Sequence, residues 1–81
     1  MSRRIFMLNE LAPYEKGRVT DVLTKSDMRR RFMDMGLIVG TEVTCIVQSR
    51  GGDISAYLVR GTVIAIRSDD VKEIFIEKLS G

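Results

Sequence analysis

Apolar and polar residues alternate with a period of two through most of the chain, and with a period near 3.6 in one short stretch. Residues 17–24 place Val19, Asp21 and Leu23 on one face and Arg18, Thr20 and Val22 on the other. This predicts a strand with an acid on its more apolar side. Residues 27–35 predict the only helix. Met28, Phe32 and Met35 recur at i, i+4 and i+7, forming one apolar stripe, while Met33 lies off it and is expected at the surface. Ser26 is placed as the N-cap, and Asp27 complements the positive end of the helix dipole. Gly36 supplies a left-handed residue past the last turn, and Leu37 is positioned to fold back onto Phe32 in a Schellman arrangement.

Beyond Val39-Gly40-Thr41 the pattern predicts strands only. Residues 42–48 put Val43, Cys45 and Val47 on one face, and Arg50-Gly51-Gly52-Asp53 makes a hairpin turn. Residues 54–60 set Ile54, Ala56 and Leu58 opposite Ser55, Tyr57 and Val59. Gly61 permits a bend before Thr62–Arg67. Val63 to Ile66 is apolar on both faces, so one face belongs to a core and the other must meet the helix, a second protomer or a partner. Ser68–Glu73 has room for one helical turn, and Ile74–Ile76 is the last strand. Five or six short strands with one helix near the front predict a mainly β fold, a small closed or nearly closed barrel.

Composition narrows the function classes. The chain has 81 residues and 9.2 kDa, enough for a single domain over residues 1–81. It has no histidine, which removes the commonest general base and metal ligand, so a self-contained enzyme is a poor fit. Its one cysteine excludes an internal disulfide, as suits a reducing compartment. No apolar run approaches a membrane span, and Ile5–Leu8 is too short for the core of a signal peptide, so a cytoplasmic protein is expected. The net charge of +2 is uneven: residues 1–36 hold eight basic and five acidic residues, residues 37–81 five and six.

The densest charge is Arg29-Arg30-Arg31. It reads either as a patch for an acidic partner or as a solvated helix face, with Arg31 paired to Asp27 and Arg30 near Asp34. Gly51-Gly52 lacks the Lys-Ser/Thr and the following helix of a phosphate-binding loop, so a hairpin turn is the better reading and no nucleotide site is expected. Met28, Met33 and Met35 with Cys45 read either as a soft-metal site or as core, and a methionine stripe at helical spacing is the better fit to a core. Cys45 reads as a buried, inert thiol. Asp69, Asp70 and Glu73 form the one acidic cluster, read as a turn with a capping acid beside the alternative of a loose cation contact. No cofactor is expected.

Several segments together resemble the FeoA family: Leu8-x-x-Leu11-x-Pro13, Arg31-Phe32-x-Asp34-Met35-Gly36-Leu37-x-x-Gly40-Thr41-x-Val43, Val59-Arg60-Gly61-x-x-x-Ala65-Ile66-Arg67 and Ile74-x-Ile76. The match runs over about residues 7–77. Tyr14 stands where the family usually has glycine, Val39 where proline is common, and Ile54 where proline is frequent. The resemblance implies an SH3-like β-barrel with one short inserted α-helix. It also implies a non-catalytic cytoplasmic accessory that binds the cytoplasmic GTP-binding portion of an FeoB-type ferrous iron transporter and modulates uptake, meeting the membrane only through that partner. The partner-binding residues expected on this basis are Arg29, Arg30 and Met33 on the helix, with Tyr57 and Arg60 on the facing sheet. Gly36, Gly40 and Gly61 are assigned to backbone geometry. Self-association is a further option. The alternatives are a small nucleic-acid-binding barrel, which is not expected, and a stand-alone metal-responsive regulator.

Overall fold

A computed structural model describes residues 4–23 and 26–79, without the side chain of Ser26. Six antiparallel strands form one sheet in the order β1-β6-β2-β3-β4-β5. The strands are β1 Ile5–Met7, β2 Lys16–Val22, β3 Glu42–Gln48, β4 Ile54–Val59, β5 Thr62–Arg67 and β6 Ile74–Leu79. Helix α1, Ser26–Asp34, is inserted between β2 and β3. Single 3-10 turns at Leu8–Glu10 and Ser68–Val71 lead out of β1 and β5. The sheet curls around a core built from Val19, Val43, Cys45, Tyr57, Val59 and Ile76, plugged by Leu8, Leu11, Val71 and Ile74. Phe32 and Leu37 enter this core from the helix segment. The mainly β barrel with one inserted helix is therefore the observed architecture.

The end of α1 follows the expected pattern. Leu37 N–H donates to Phe32 O at 2.8 Å and Gly36 N–H to Met33 O at 3.0 Å, the two bonds of a Schellman motif, with Gly36 at φ 95°. Phe32 is buried, and Met28 and Met35 pack half-buried beside it. Helix α1 begins at Ser26 itself. The capping side chain assigned to Ser26 lies outside the described residues. Neither Asp27–Arg31 nor Arg30–Asp34 is among the ion pairs of the described residues.

Two strands depart from simple alternation. In β2, Val19 pairs with Ile76 and Asp21 with Phe75, so Thr20 is an extra residue in the ladder. This bulge reverses the faces: Val22 packs against the core, while Asp21 and Leu23 turn to solvent. In β3, Cys45 pairs with Tyr57 and Val47 with Ala56, which makes Ile46 the extra residue. Val47 is therefore exposed, not on the buried face with Val43 and Cys45. The bend expected at Gly61 is a two-residue hairpin, Arg60-Gly61, closing β4 on β5, with both residues at positive φ as a type I′ turn requires. Strand β1 has no counterpart in the sequence pattern. Its three residues form a strand because β6 offers them an edge.

Candidate partner-binding surface

Helix α1 is tethered by Phe32, with Met28 and Met35 beside it, and by the Gly36–Leu37 turn, so the face that bears Arg29, Arg30 and Met33 points outward. The loop after it is drawn onto β2 through two backbone bonds. Gly40 N–H donates to Val19 O at 2.8 Å and Val19 N–H to Thr41 O at 2.9 Å. That loop forms a ridge with a hollow on each side. Val39 lines one hollow, Gly40 the other.

The first hollow, about 360 Å³, is apolar. It is walled by Leu23 from the end of β2, by Arg29 and Met33 from α1, and by Leu37, Ile38 and Val39 from the loop, with Asp21 at its rim. Leu23, Met33, Ile38 and Val39 are all exposed, Val39 at 65%. Four large apolar side chains gathered at one place on a small domain make a contiguous patch, unlike scattered exposed residues that need no explanation. The second hollow, about 480 Å³, is polar and is lined by Lys16, Arg18, Thr41, Glu42, Thr44 and Arg60 among others. Arg18 lies 3.7 Å from Glu42 and 3.9 Å from Glu77, so much of its charge is answered within the chain.

The expected site residues separate in space. Arg29 and Met33 line the apolar hollow together. Arg30 is exposed on the same helix and lines neither hollow. Arg60 sits in the β4–β5 turn at φ 51°, exposed, lining the polar hollow. A Cβ built on Gly36 would lie 2.7 Å from Arg60 Cδ, which places the aliphatic stem of Arg60 over the end of α1. Tyr57 corrects the expectation. Its side chain is 0% exposed, inside the barrel between β3 and β5, so it is a core residue and presents nothing to a partner. Its hydroxyl reaches toward Leu8 O at 3.5 Å, and burial pushes its pKa up. Gly36, Gly40 and Gly61 all adopt positive φ.

Leu23, Ile38 and Val39 were not singled out by sequence. Ile38 and Val39 gave a weak signal, as apolar residues at the turn that contains Gly40, where polar residues are the rule.

The other groups weighed from the sequence lie away from this surface. Cys45 is a buried free thiol whose pKa is raised, chiefly by desolvation. Asp69 is paired with Lys72 at 3.2 Å, and among the described residues no three His, Cys, Asp or Glu side chains converge as metal ligands. Glu15 accepts from Ala12 N–H at 2.7 Å and lies 3.4 Å from Lys78, and these two contacts, the backbone one first, hold its carboxyl below the usual range. No helix among the described residues is long and apolar enough to cross a membrane.

Six antiparallel strands with one inserted helix define the class: a small, mainly β, SH3-like barrel. Residues 6–78 match the model of the FeoA domain, and the chain belongs to that family. Among solved structures, a FeoA-like protein from Clostridium acetobutylicum is 32% identical over 100% of this chain and 93% of its own, with a TM-score of 0.85. A FeoA from Stenotrophomonas maltophilia, solved with zinc and described as a prokaryotic SH3 domain protein, is 27% identical over 88% of both chains, TM-score 0.76. A manganese-dependent transcriptional repressor shares the fold at 12% identity, covering 98% of this chain but 44% of its own, TM-score 0.85. A search of curated proteins returns no match. Family membership points to a role in ferrous iron transport.

Proposed function

We propose that this protein is a non-catalytic cytoplasmic accessory of ferrous iron transport that binds the cytoplasmic GTP-binding portion of an FeoB-type transporter. The observation that supports this reading most is the exposed apolar hollow of Leu23, Met33, Ile38 and Val39, with Arg29 beside it. Interfaces of this kind gain affinity from a desolvated apolar centre and specificity from charges at the rim. Met33 is suited to the centre because its unbranched side chain adapts to a partner's shape. Arg29 and Arg30 supply rim charge, and Arg60 a third cation farther round the barrel. Modulation of uptake then requires that the surface bind one transporter state more tightly than another, because equal affinity shifts nothing. The nucleic-acid alternative has less support, since Glu42 and Glu77 answer the charge of Arg18 in the polar hollow.

Two variants test the reading. Met33→Asp and the pair Arg29→Glu/Arg30→Glu should each leave stability within about 0.5 kcal/mol per residue, as exposed positions do. Both should weaken binding to the transporter's cytoplasmic portion about tenfold or more, measured by calorimetry. The charge-reversal effect should shrink as salt is raised, and the Met33→Asp effect should not. Ferrous iron uptake should fall toward that of cells lacking the protein. Folded variants that bind and support uptake normally would sink the reading.

A further inference from the structure

The two edges of the sheet are unequal. Strand β1 is three residues long, and Lys78 Nζ stands 4.4 Å from the ring of its Phe6. Short edges and nearby lysines are the usual ways in which a sheet avoids pairing with another chain. Strand β5 has neither. It is six residues long and runs Val63-Ile64-Ala65-Ile66 without a charge, a proline or a bulge in its pairing with β4. The β2–β6 and β3–β4 pairings both carry bulges.

The direction of the free backbone groups on β5 follows from its turn. The two-residue hairpin makes Val59 and Thr62 a hydrogen-bonded pair, and bonded pairs recur at every second residue. Ser68 N–H donates to Asp53 O at 2.8 Å, which continues the same phase. Thr62, Ile64 and Ile66 therefore bond to β4, whereas the N–H and C=O groups of Val63, Ala65 and Arg67 point out of the sheet. Val63 is 58% exposed, and no described element pairs with this edge.

Beside Ala65–Arg67 lies a groove of about 480 Å³ between β5 and α1. Its helix wall is made by Met28 and Met35, side chains that can shift to admit another chain. Its charges are balanced, Arg31 and Arg67 against Asp34 and Asp70, and none of the four is in an ion pair with a described residue. A strongly acidic or basic segment would find no net attraction there. Because this patch carries both signs, a second copy of it related by a two-fold axis can set cations against acids without net repulsion.

We propose that β5 is a self-association edge, on which two copies of this chain pair β5 against β5, antiparallel, across a two-fold axis at Ala65. In that register Ala65 exchanges both backbone bonds with its symmetry mate, and Val63 does so with Arg67 of the second copy. The small Ala65 side chain at the axis allows close approach. Strand pairing with a partly filled groove is a small interface, so the dimer is concentration-dependent, not obligate. The contact uses a different surface from the one assigned to the transporter and does not depend on that assignment.

Sedimentation equilibrium of the full chain from micromolar to millimolar concentration tests the proposal. The mass should rise from 9.2 kDa toward twice that value. Ala65→Pro should raise the dissociation constant tenfold or more, because it deletes an outward N–H and spares every bond to β4. Val63→Lys, on the exposed face, should do the same by setting a lysine opposite Arg67 of the second copy, whereas Val63→Glu should pair as well as the parent or better. These two exposed-face variants keep the test open if Ala65→Pro fails to fold. A chain that stays monomeric throughout overturns the proposal. So does a dimer that the lysine and glutamate variants weaken equally, or leave unchanged, since either result puts the contact in another register or on another face.

Discussion

The inner wall of the barrel and the segment that leads from α1 into β3 are held in place by different forces. The wall is fixed by burial: Val19, Val43, Cys45, Tyr57, Val59 and Ile76 are all removed from solvent and interlock across four strands. The segment from Ser26 to Thr41 has only Phe32 and Leu37 fully buried as large side chains. Its shape comes from backbone terms instead: the Schellman bonds at Gly36, and the two bonds that tie Val19 to Gly40 and Thr41. The difference has a functional reading. Under the proposed function, Met33, Ile38 and Val39 are offered to a partner and cannot hold the surface in shape by being buried, so the backbone does it.

The largest test of this contrast is Tyr57→Ala. Truncating a fully buried aromatic should cost about 3–5 kcal/mol in chemical denaturation, a large share of the roughly 4–12 kcal/mol expected for a domain of this size. Tyr57→Phe should cost under about 1 kcal/mol, because the bond from its hydroxyl to Leu8 O is long at 3.5 Å. If the alanine variant lost no more than the phenylalanine one, burial would not be what fixes the wall.

Next in size is Gly36→Ala, which probes the backbone side. At φ 95° an alanine is strained, and its Cβ would also meet Arg60 Cδ at 2.7 Å. The arginine stem can move aside, so the dihedral carries most of the cost, about 1–2 kcal/mol in the denaturation midpoint. An unchanged midpoint would mean that the helix end is not anchored by this residue.

The smallest expected effect is at Tyr14, 81% exposed yet held at φ 73° where its N–H donates to Cys45 O at 2.6 Å. This is the position at which the resembling family usually has glycine, and the dihedral gives the reason. Tyr14→Gly should relieve the strain and lose some of that gain to the greater freedom of the unfolded glycine, for a net stabilisation of about 0.5 kcal/mol. A loss of stability would show that the exposed ring packs on something that matters.

Local patterns were legible wherever a short stretch carried its own signal. The helix stripe of Met28, Phe32 and Met35, the Gly36–Leu37 ending and the turn at Arg50–Asp53 all appear where the residues place them. Of the expected contact residues, Arg29 and Met33 come together in one hollow, but Leu23, Ile38 and Val39, which complete it, arrive from separate segments. Only folding makes them neighbours.

Tyr57 shows where sequence runs out. Strand β4 presents two faces that the sequence sets opposite each other without ranking: Ile54, Ala56 and Leu58 form the outer one, whereas Ser55, Tyr57 and Val59 face the core. Alternation identifies two faces without saying which is inside, because that depends on the strands to either side. The bulges at Thr20 and Ile46 have the same origin: an extra residue is accommodated only where the partner strands β6 and β4 leave it unpaired, and each reverses the faces beyond it. Residue order alone thus determined the helix, its ending and the turns, all set by interactions within a few residues, and it carried the family resemblance. The inside of each strand, the exposure of Val47 and Leu23, and the free edge at β5 were decided by contacts between segments distant in the chain, which exist only once the sheet has closed around its core.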